Sequence, residues 1–266
     1  MKEIALQVAS VAGARKLNVL REYLQHEILL LMQRTGFSAP LYFVGGTALR
    51  VLYGIRRYSE DLDFSAGEKW RRRELGPFAE KLEESLVKGG YLLALAVREE
   101  KTVQRVMVRF KGLLSEAGLS SREAERLAVH IEIDTNPPEG WKEERTIVNT
   151  YMPILIRHYD KPSLFAAKLA AFFARPYTKG RDVYDLFWIR SKWKDLLPNF
   201  DLLNNAISQK KTAAAGLSGA NWLEVAAAKI HKLDWKAVVA DAAPFLEDPG
   251  EARMLTRENF LLLYSK

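Results

Sequence analysis

Phe43-Val44-Gly45-Gly46-Thr47-Ala48-Leu49 and, a short interval later, Ser59-Glu60-Asp61-Leu62-Asp63-Phe64-Ser65 are the two stretches that decide how the 266-residue chain is read. Leu41 to Val44 is short, aromatic and β-branched and stops at a glycine pair, which reads as a buried strand. Residues 47–54 resume helical spacing, with Gly54 able to stop the helix. Leu62 and Phe64 then alternate with Asp61 and Asp63 as in a second strand. A glycine pair between strand and helix lets the backbone approach a phosphate closely, and the helix amino terminus offers it N–H groups and a positive dipole. Thr47 can add a hydroxyl. Asp61 and Asp63 project to one face of their strand while Leu62 and Phe64 enter the core, so two carboxylates converge without disturbing packing. Such a pair repels itself unless a cation sits between. Mg²⁺ (or Mn²⁺) is the natural guest, because it takes oxygen ligands and bridges carboxylates to nucleotide phosphates. Each half alone has an ordinary reading, a turn or a solvated strand edge; their conjunction across one helix does not.

Outward from this centre, residues 13–34 carry helical apolar spacing without a proline, and 68–88 form a second amphipathic helix. Three β-rich runs follow at 91–97, 103–110 and 128–135, then the breaker Asn136-Pro137-Pro138-Glu139-Gly140 and one short strand at 146–151. From Pro162 the pattern is helical, over 163–174, 180–190, 201–211, 222–232, 235–242 and 252–264. These runs predict an α/β fold: a mixed β-sheet domain at 1–158 and an α-helical domain at 159–266. There are no internal repeats, and 210–219 is too short to count as low complexity.

The 48% hydrophobic and 27% charged fractions belong to a soluble globular chain, and no run reaches the roughly 18 apolar residues of a membrane span. Residues 1–7 hold Lys2 and Glu3 but no apolar core with a cleavage site, so the expectation is a cytoplasmic protein. With no cysteine, disulfides and thiolate metal sites are excluded. His130, His158 and His231 are scattered, without the spacing of a zinc site. A net charge of +7 favours an anionic partner. Basic residues with interleaved aromatics recur in Arg56-Arg57-Tyr58, in Trp70-Arg71-Arg72-Arg73 and across 175–194, a pattern that suits phosphates and unpaired bases but equally suits ordinary surface and helix packing.

Val44-Gly45-Gly46 with Asp61-Leu62-Asp63-Phe64 resembles the nucleotidyltransferases of the DNA polymerase β superfamily, although fourteen residues between Gly46 and Asp61 exceed the commonest spacing there. Within that superfamily the stretch from Gly45 to Leu49 and from Arg57 to Phe64 is similar to the AbiEii/AbiGii toxin family, which includes the MenT toxins and where the longer spacing is normal. Ile131-Glu132-Ile133-Asp134-Thr135-Asn136-Pro137-Pro138, Lys168, and Lys179-Gly180-Arg181-Asp182-Val183-Tyr184-Asp185-Leu186 extend the likeness, with a weaker echo at 235–246.

The resemblance implies a third carboxylate from a neighbouring strand. Alternation places His130, Glu132 and Asp134 on one face, so two candidates compete; Glu132 is central, whereas Asp134 can instead cap the following turn. Lys168 lies within an apolar helix, where a charge needs a partner or must snorkel; the resemblance assigns it to a nucleoside triphosphate. Asp182 matches the family's Arg-Asp position, and Asp185, on the same helix face, reads as structural support. The resemblance thus implies Asp61, Asp63, Lys168 and Asp182 as catalytic residues, Gly45, Gly46, Thr47 and Lys168 as nucleotide-binding, and Asp61, Asp63 and Glu132 as metal ligands, with the active site in a cleft between the domains. It also implies a toxin of a toxin-antitoxin system that transfers a nucleotide from an NTP to an RNA acceptor, the 3′ end of tRNA foremost, with a cognate antitoxin as partner. Two other readings stay open: nucleotidylation of a protein or small molecule, and a catalytically silent nucleic-acid or antitoxin-binding module.

Overall fold

The computed structural model describes residues 1–99, 102–122, 124–177, 179–210 and 216–264. In chain order they form α1 (Lys2–Ser10), α2 (Lys16–Arg34), β1 (Leu41–Val44), α3 (Gly45–Tyr53), β2 (Asp61–Ala66), α4 (Leu75–Lys88), β3 (Leu93–Arg98), β4 (Val103–Lys111), the single turn α5 (Leu113–Glu116), β5 (Arg126–Asp134), β6 (Glu143–Val148) and β7 (Ile154–Tyr159). Helices α6 (Lys161–Ala174), α7 (Gly180–Lys192), α8 (Phe200–Gln209), α9 (Trp222–Ile230), α10 (Trp235–Ala242) and α11 (Arg257–Tyr264) follow. None of the described helices is long and apolar enough to cross a membrane.

The fold is α/β. Its seven-stranded sheet has the order β3-β4-β5-β2-β1-β7-β6. Strand β2 is central, antiparallel to β1 and parallel to β5, while β7 runs parallel to β1. Strand β5 shows why the alternation was informative: Leu127, Val129, Ile131 and Ile133 are buried and the residues between them are not. The chain divides into two compact units. One comprises Met1–Tyr53, Tyr58–Pro137 and Glu144–His158; the other comprises Gly54–Arg57, Pro138–Glu143 and Tyr159–Lys266. Two short excursions, Gly54–Arg57 and Pro138–Glu143, therefore belong with the helices, which a single boundary does not anticipate.

Several element boundaries differ from expectation for local reasons. Helix α4 begins at Leu75 rather than at 68, because Pro77 has no N–H and is tolerated in a first turn but not deeper. The expected helix at 252–264 is broken into a 3₁₀ turn at Pro249–Met254 and α11, and the Thr256 hydroxyl accepts the Asn259 N–H at the start of the latter. Strand β6 replaces the short strand expected at 146–151, and β7 was not foreseen. The expected end of α8 at Lys211, and part of 210–219, lie outside the described residues. Helix α6 starts cleanly: Asp160 accepts the Ser163 N–H at 2.9 Å, and Pro162 occupies the first turn.

Candidate active site

Strand β2 presents Asp61 and Asp63 with neighbours on both sides. Val44 of β1 lies opposite Asp63, and on the β5 side Asp61 faces His130, Asp63 faces Glu132 and Ser65 faces Asp134. Register partners on parallel strands share a face. Asp61, Asp63, His130 and Glu132 thus form one patch, while Leu62, Phe64, Ile131 and Ile133 are buried on the other side. His130 Nδ1 is 3.3 Å from Asp61 Oδ1, and Arg105, opposite Glu132 on β4, lies 2.9 Å from Glu132 Oε1. Asp134 is one step further along, where its Oδ1 accepts the Asn136 N–H at 2.9 Å and caps the turn.

The two halves of the motif meet at Gly45. Its φ is +82°, and a Cβ there would fall 2.1 Å from Asp63 Oδ2. Only glycine satisfies both the left-handed backbone and the close approach. The Asp63 carboxylate lies against the amino terminus of α3, where the helix dipole favours negative charge. Gly46 is buried in the first turn. Thr47 is wholly buried and its hydroxyl donates to the main-chain carbonyl of Asp61, so its side chain fixes the start of β2.

The approach to β2 is gripped residue by residue. The Arg50 guanidinium stacks over Tyr58 at 4.6 Å and pairs with Glu22 of α2 at 3.0 Å. Gln25, also on α2 and buried, donates to the Ser59 carbonyl at 3.1 Å, and Arg21 lies 3.4 Å from Glu60. Three consecutive residues before Asp61 are held this way.

The second group of expected residues belongs to the helical unit. Lys168 Nζ is 2.7 Å from Asp185 Oδ2 and 3.5 Å from Asp182 Oδ1. Asp185 is completely buried and also accepts a two-pronged contact from Arg57, at 2.5 Å from Nε and 2.7 Å from Nη2. Burial alone would push the Asp185 carboxyl up, but Arg57 and then Lys168 outweigh it and hold the pKa below its ordinary value. Burial likewise opposes the charge on Arg57, and Asp185 overcomes it, leaving that pKa above the ordinary guanidinium value. Asp182 is also gripped by Arg175. Gly180 admits the backbone of α10: a Cβ there would fall 2.1 Å from the Val238 carbonyl oxygen.

Sequence reasoning passed over Arg57, Arg105 and Arg175 as partners of these carboxylates. Arg57 sits in a basic-aromatic run of which it and Tyr58 are buried while Arg56 is exposed. Arg105 carries no local signal, since its pairing depends on strand register.

For a divalent cation the donor set is chemically apt, being carboxylate oxygen throughout. Among the described residues no three acidic or imidazole groups form a ready cage. Mg²⁺ sites that share their ion with substrate phosphates take only one or two carboxylates from the protein, so Asp61 and Asp63 fit such an ion, with Glu132 next in register.

The family described as nucleotidyl transferase AbiEii toxin of type IV toxin-antitoxin systems matches residues 28–257. Among solved structures, the nucleotidyltransferase toxin MenT4 of Mycobacterium tuberculosis is similar at 17% identity and a TM-score of 0.60, over 100% of this chain and 90% of that one. JHP933 of Helicobacter pylori is similar at 22% identity and a TM-score of 0.58, over 93% and 91% respectively. At these identities the structures speak for the fold alone. No curated protein matches the chain.

Proposed function

The chain belongs to the AbiEii family of nucleotidyl transferase toxins of type IV toxin-antitoxin systems, and from that premise we propose that it transfers a nucleoside monophosphate from an NTP to the 3′ end of an RNA, the tRNA acceptor end foremost. In this reading the acceptor hydroxyl oxygen forms a bond to the α-phosphorus, the bond from that phosphorus to the bridging oxygen breaks, and pyrophosphate leaves. Asp61 and Asp63, with Glu132 beside them, hold Mg²⁺, which when bound neutralises phosphate charge and eases deprotonation of the acceptor hydroxyl. The Gly45-Gly46 turn offers phosphate the amino terminus of α3. Lys168 serves the triphosphate: its ammonium has three donors, of which Asp182 and Asp185 engage two. Asp182 orients that ammonium. A cognate antitoxin is the expected partner.

The observation that carries this reading is the contact of Asp63 with Gly45 and its register with Glu132. A glycine pair opening a helix beside carboxylates in register supports a phosphate and metal site. The test is incubation of the full chain with each radiolabelled NTP, Mg²⁺ and total cellular RNA and protein. Label in small RNA is the expected result. Label confined to protein or small molecules would replace the acceptor, and no label with any NTP would overturn the transferase assignment to these residues.

A further inference from the structure

Helices α6, α7 and α9, with the segment joining α6 to α7, line an open pocket of about 480 Å³ within the helical unit, inside the roughly 300–1,000 Å³ range of small-ligand sites. Its walls include the apolar side chains of Phe172, Val225 and Leu233, and its lining includes four cations, Arg175, Lys179, Lys229 and Lys232, against one carboxylate, Asp182. That carboxylate is already engaged by Arg175 and Lys168. Lys179 and Lys232 make no ion pair among the described residues, and Lys229 donates to the main-chain carbonyls of Phe173 and Arg175, at 3.1 and 3.3 Å, and lies 5.1 Å from the centre of the Phe172 ring, with no carboxylate partner among the described residues. Lys179 also stands at the start of the 13-residue helix α7, whose positive end adds to the same field. Burial pushes the pKa of both Lys179 and Lys229 down, and for Lys179 the nearby Arg175, Arg181 and Lys168 add to it against the pull of Asp182. Tyr177, 65% exposed, also lines the cavity and offers a flat face.

Surplus cations call for phosphate, and apolar walls beside an exposed ring call for a planar base. We propose that this cavity binds a nucleoside phosphate, either free or as a terminal nucleotide of an RNA strand. The assignment rests on the nucleotide-transfer reading for its ligand class, but its residues other than Asp182 lie outside that machinery. Inorganic phosphate alone would leave the apolar walls unused.

Isothermal titration of the full chain with AMP, CMP, a single-stranded RNA trinucleotide and inorganic phosphate tests this, on the wild type and on Lys232→Glu and Tyr177→Ala. Both positions are exposed, and melting temperature verifies folding; Lys232→Gln replaces Lys232→Glu if the reversal fails to fold. The expected result is binding of a nucleoside phosphate more tightly than inorganic phosphate, weakened about tenfold by each variant. Variant-sensitive binding of AMP or CMP identifies a free nucleotide as occupant, and sensitivity of the trinucleotide alone identifies an RNA end. Failure of the wild type to bind either, binding indifferent to both variants, or equal affinity for inorganic phosphate would overturn the proposal. None of these readouts involves turnover, so a chain that transfers label yet binds indifferently to the variants loses only the cavity, and the converse loses only the transferase reading.

Discussion

At the scale of single residues, the site depends on contacts that tolerate almost no substitution. Gly45→Ala puts a methyl where Asp63 Oδ2 lies and forces alanine to φ +82°. The expected cost is about 1–3 kcal/mol for the backbone alone, together with loss of transfer as the carboxylate is displaced; unchanged unfolding midpoint and activity would remove the contact from the account. The buried cluster of Arg57, Lys168, Asp182 and Asp185 makes a different prediction. Arg57→Met leaves Asp185 with Lys168 only, and should lower stability by roughly 3–5 kcal/mol. Lys168→Met leaves Asp185 in the Arg57 fork, so it should cost less while weakening nucleotide affinity measured directly on the folded protein. Because the folded Asp185 pKa is depressed, its stabilisation is present above the unfolded value of about 4 and is lost as pH falls through the folded value. Denaturant unfolding between neutral and acidic pH should therefore show a smaller acid loss in Arg57→Met than in the wild type. The residue types at the motif were legible because glycine and aspartate announce their chemistry. The destination of the Thr47 hydroxyl was not, since a threonine in a first turn can face a ligand or a neighbouring carbonyl equally well.

At the scale of elements, strand register adds a neighbour relation that alternation cannot supply. Alternation put Glu132 and Asp134 on one face, but only the pairing of β2 with β5 places Glu132 beside Asp63 and Asp134 beside Ser65. Glu132→Gln should reduce transfer and weaken Mg²⁺ dependence, whereas Asp134→Asn should chiefly loosen the turn it caps; kinetics as a function of Mg²⁺ concentration would distinguish them, and the reverse pattern would move the third carboxylate to Asp134. Helix crossing gives a second test. Gly180→Ala drives a methyl into the Val238 carbonyl between α7 and α10 and should destabilise the protein by about 1–3 kcal/mol, read from chemical unfolding. Strands β1, β2, β4 and β5 were visible because each alternates or ends at glycine. Strand β7 was hidden: Ile154 to Tyr159 lies between the strand expected at 146–151 and the helical pattern from Pro162, and its parallel partner β1 is far away in sequence.

At the scale of the whole molecule, the sheet unit holds Gly45, Gly46, Thr47, Asp61, Asp63 and Glu132 and the helical unit holds Lys168 and Asp182, on a chain with net charge +7. The sequence disclosed the family because its motif spacing is unusual, but the two excursions that join the helical unit leave no compositional trace. Arg57 shows why: nothing in Arg56-Arg57-Tyr58 reveals that the middle residue is buried against Asp185. The role of Asp63, seated on Gly45, is that of a metal-holding catalytic carboxylate in the proposed reaction. It is tested most directly by the rate of nucleotide transfer to RNA by pure Asp63→Asn protein of unchanged melting temperature, beside the wild type, at saturating NTP and Mg²⁺. A fall of about a thousandfold or more is predicted, since several kcal/mol of transition-state stabilisation go with the ligand; turnover within a few-fold of the wild type would contradict it.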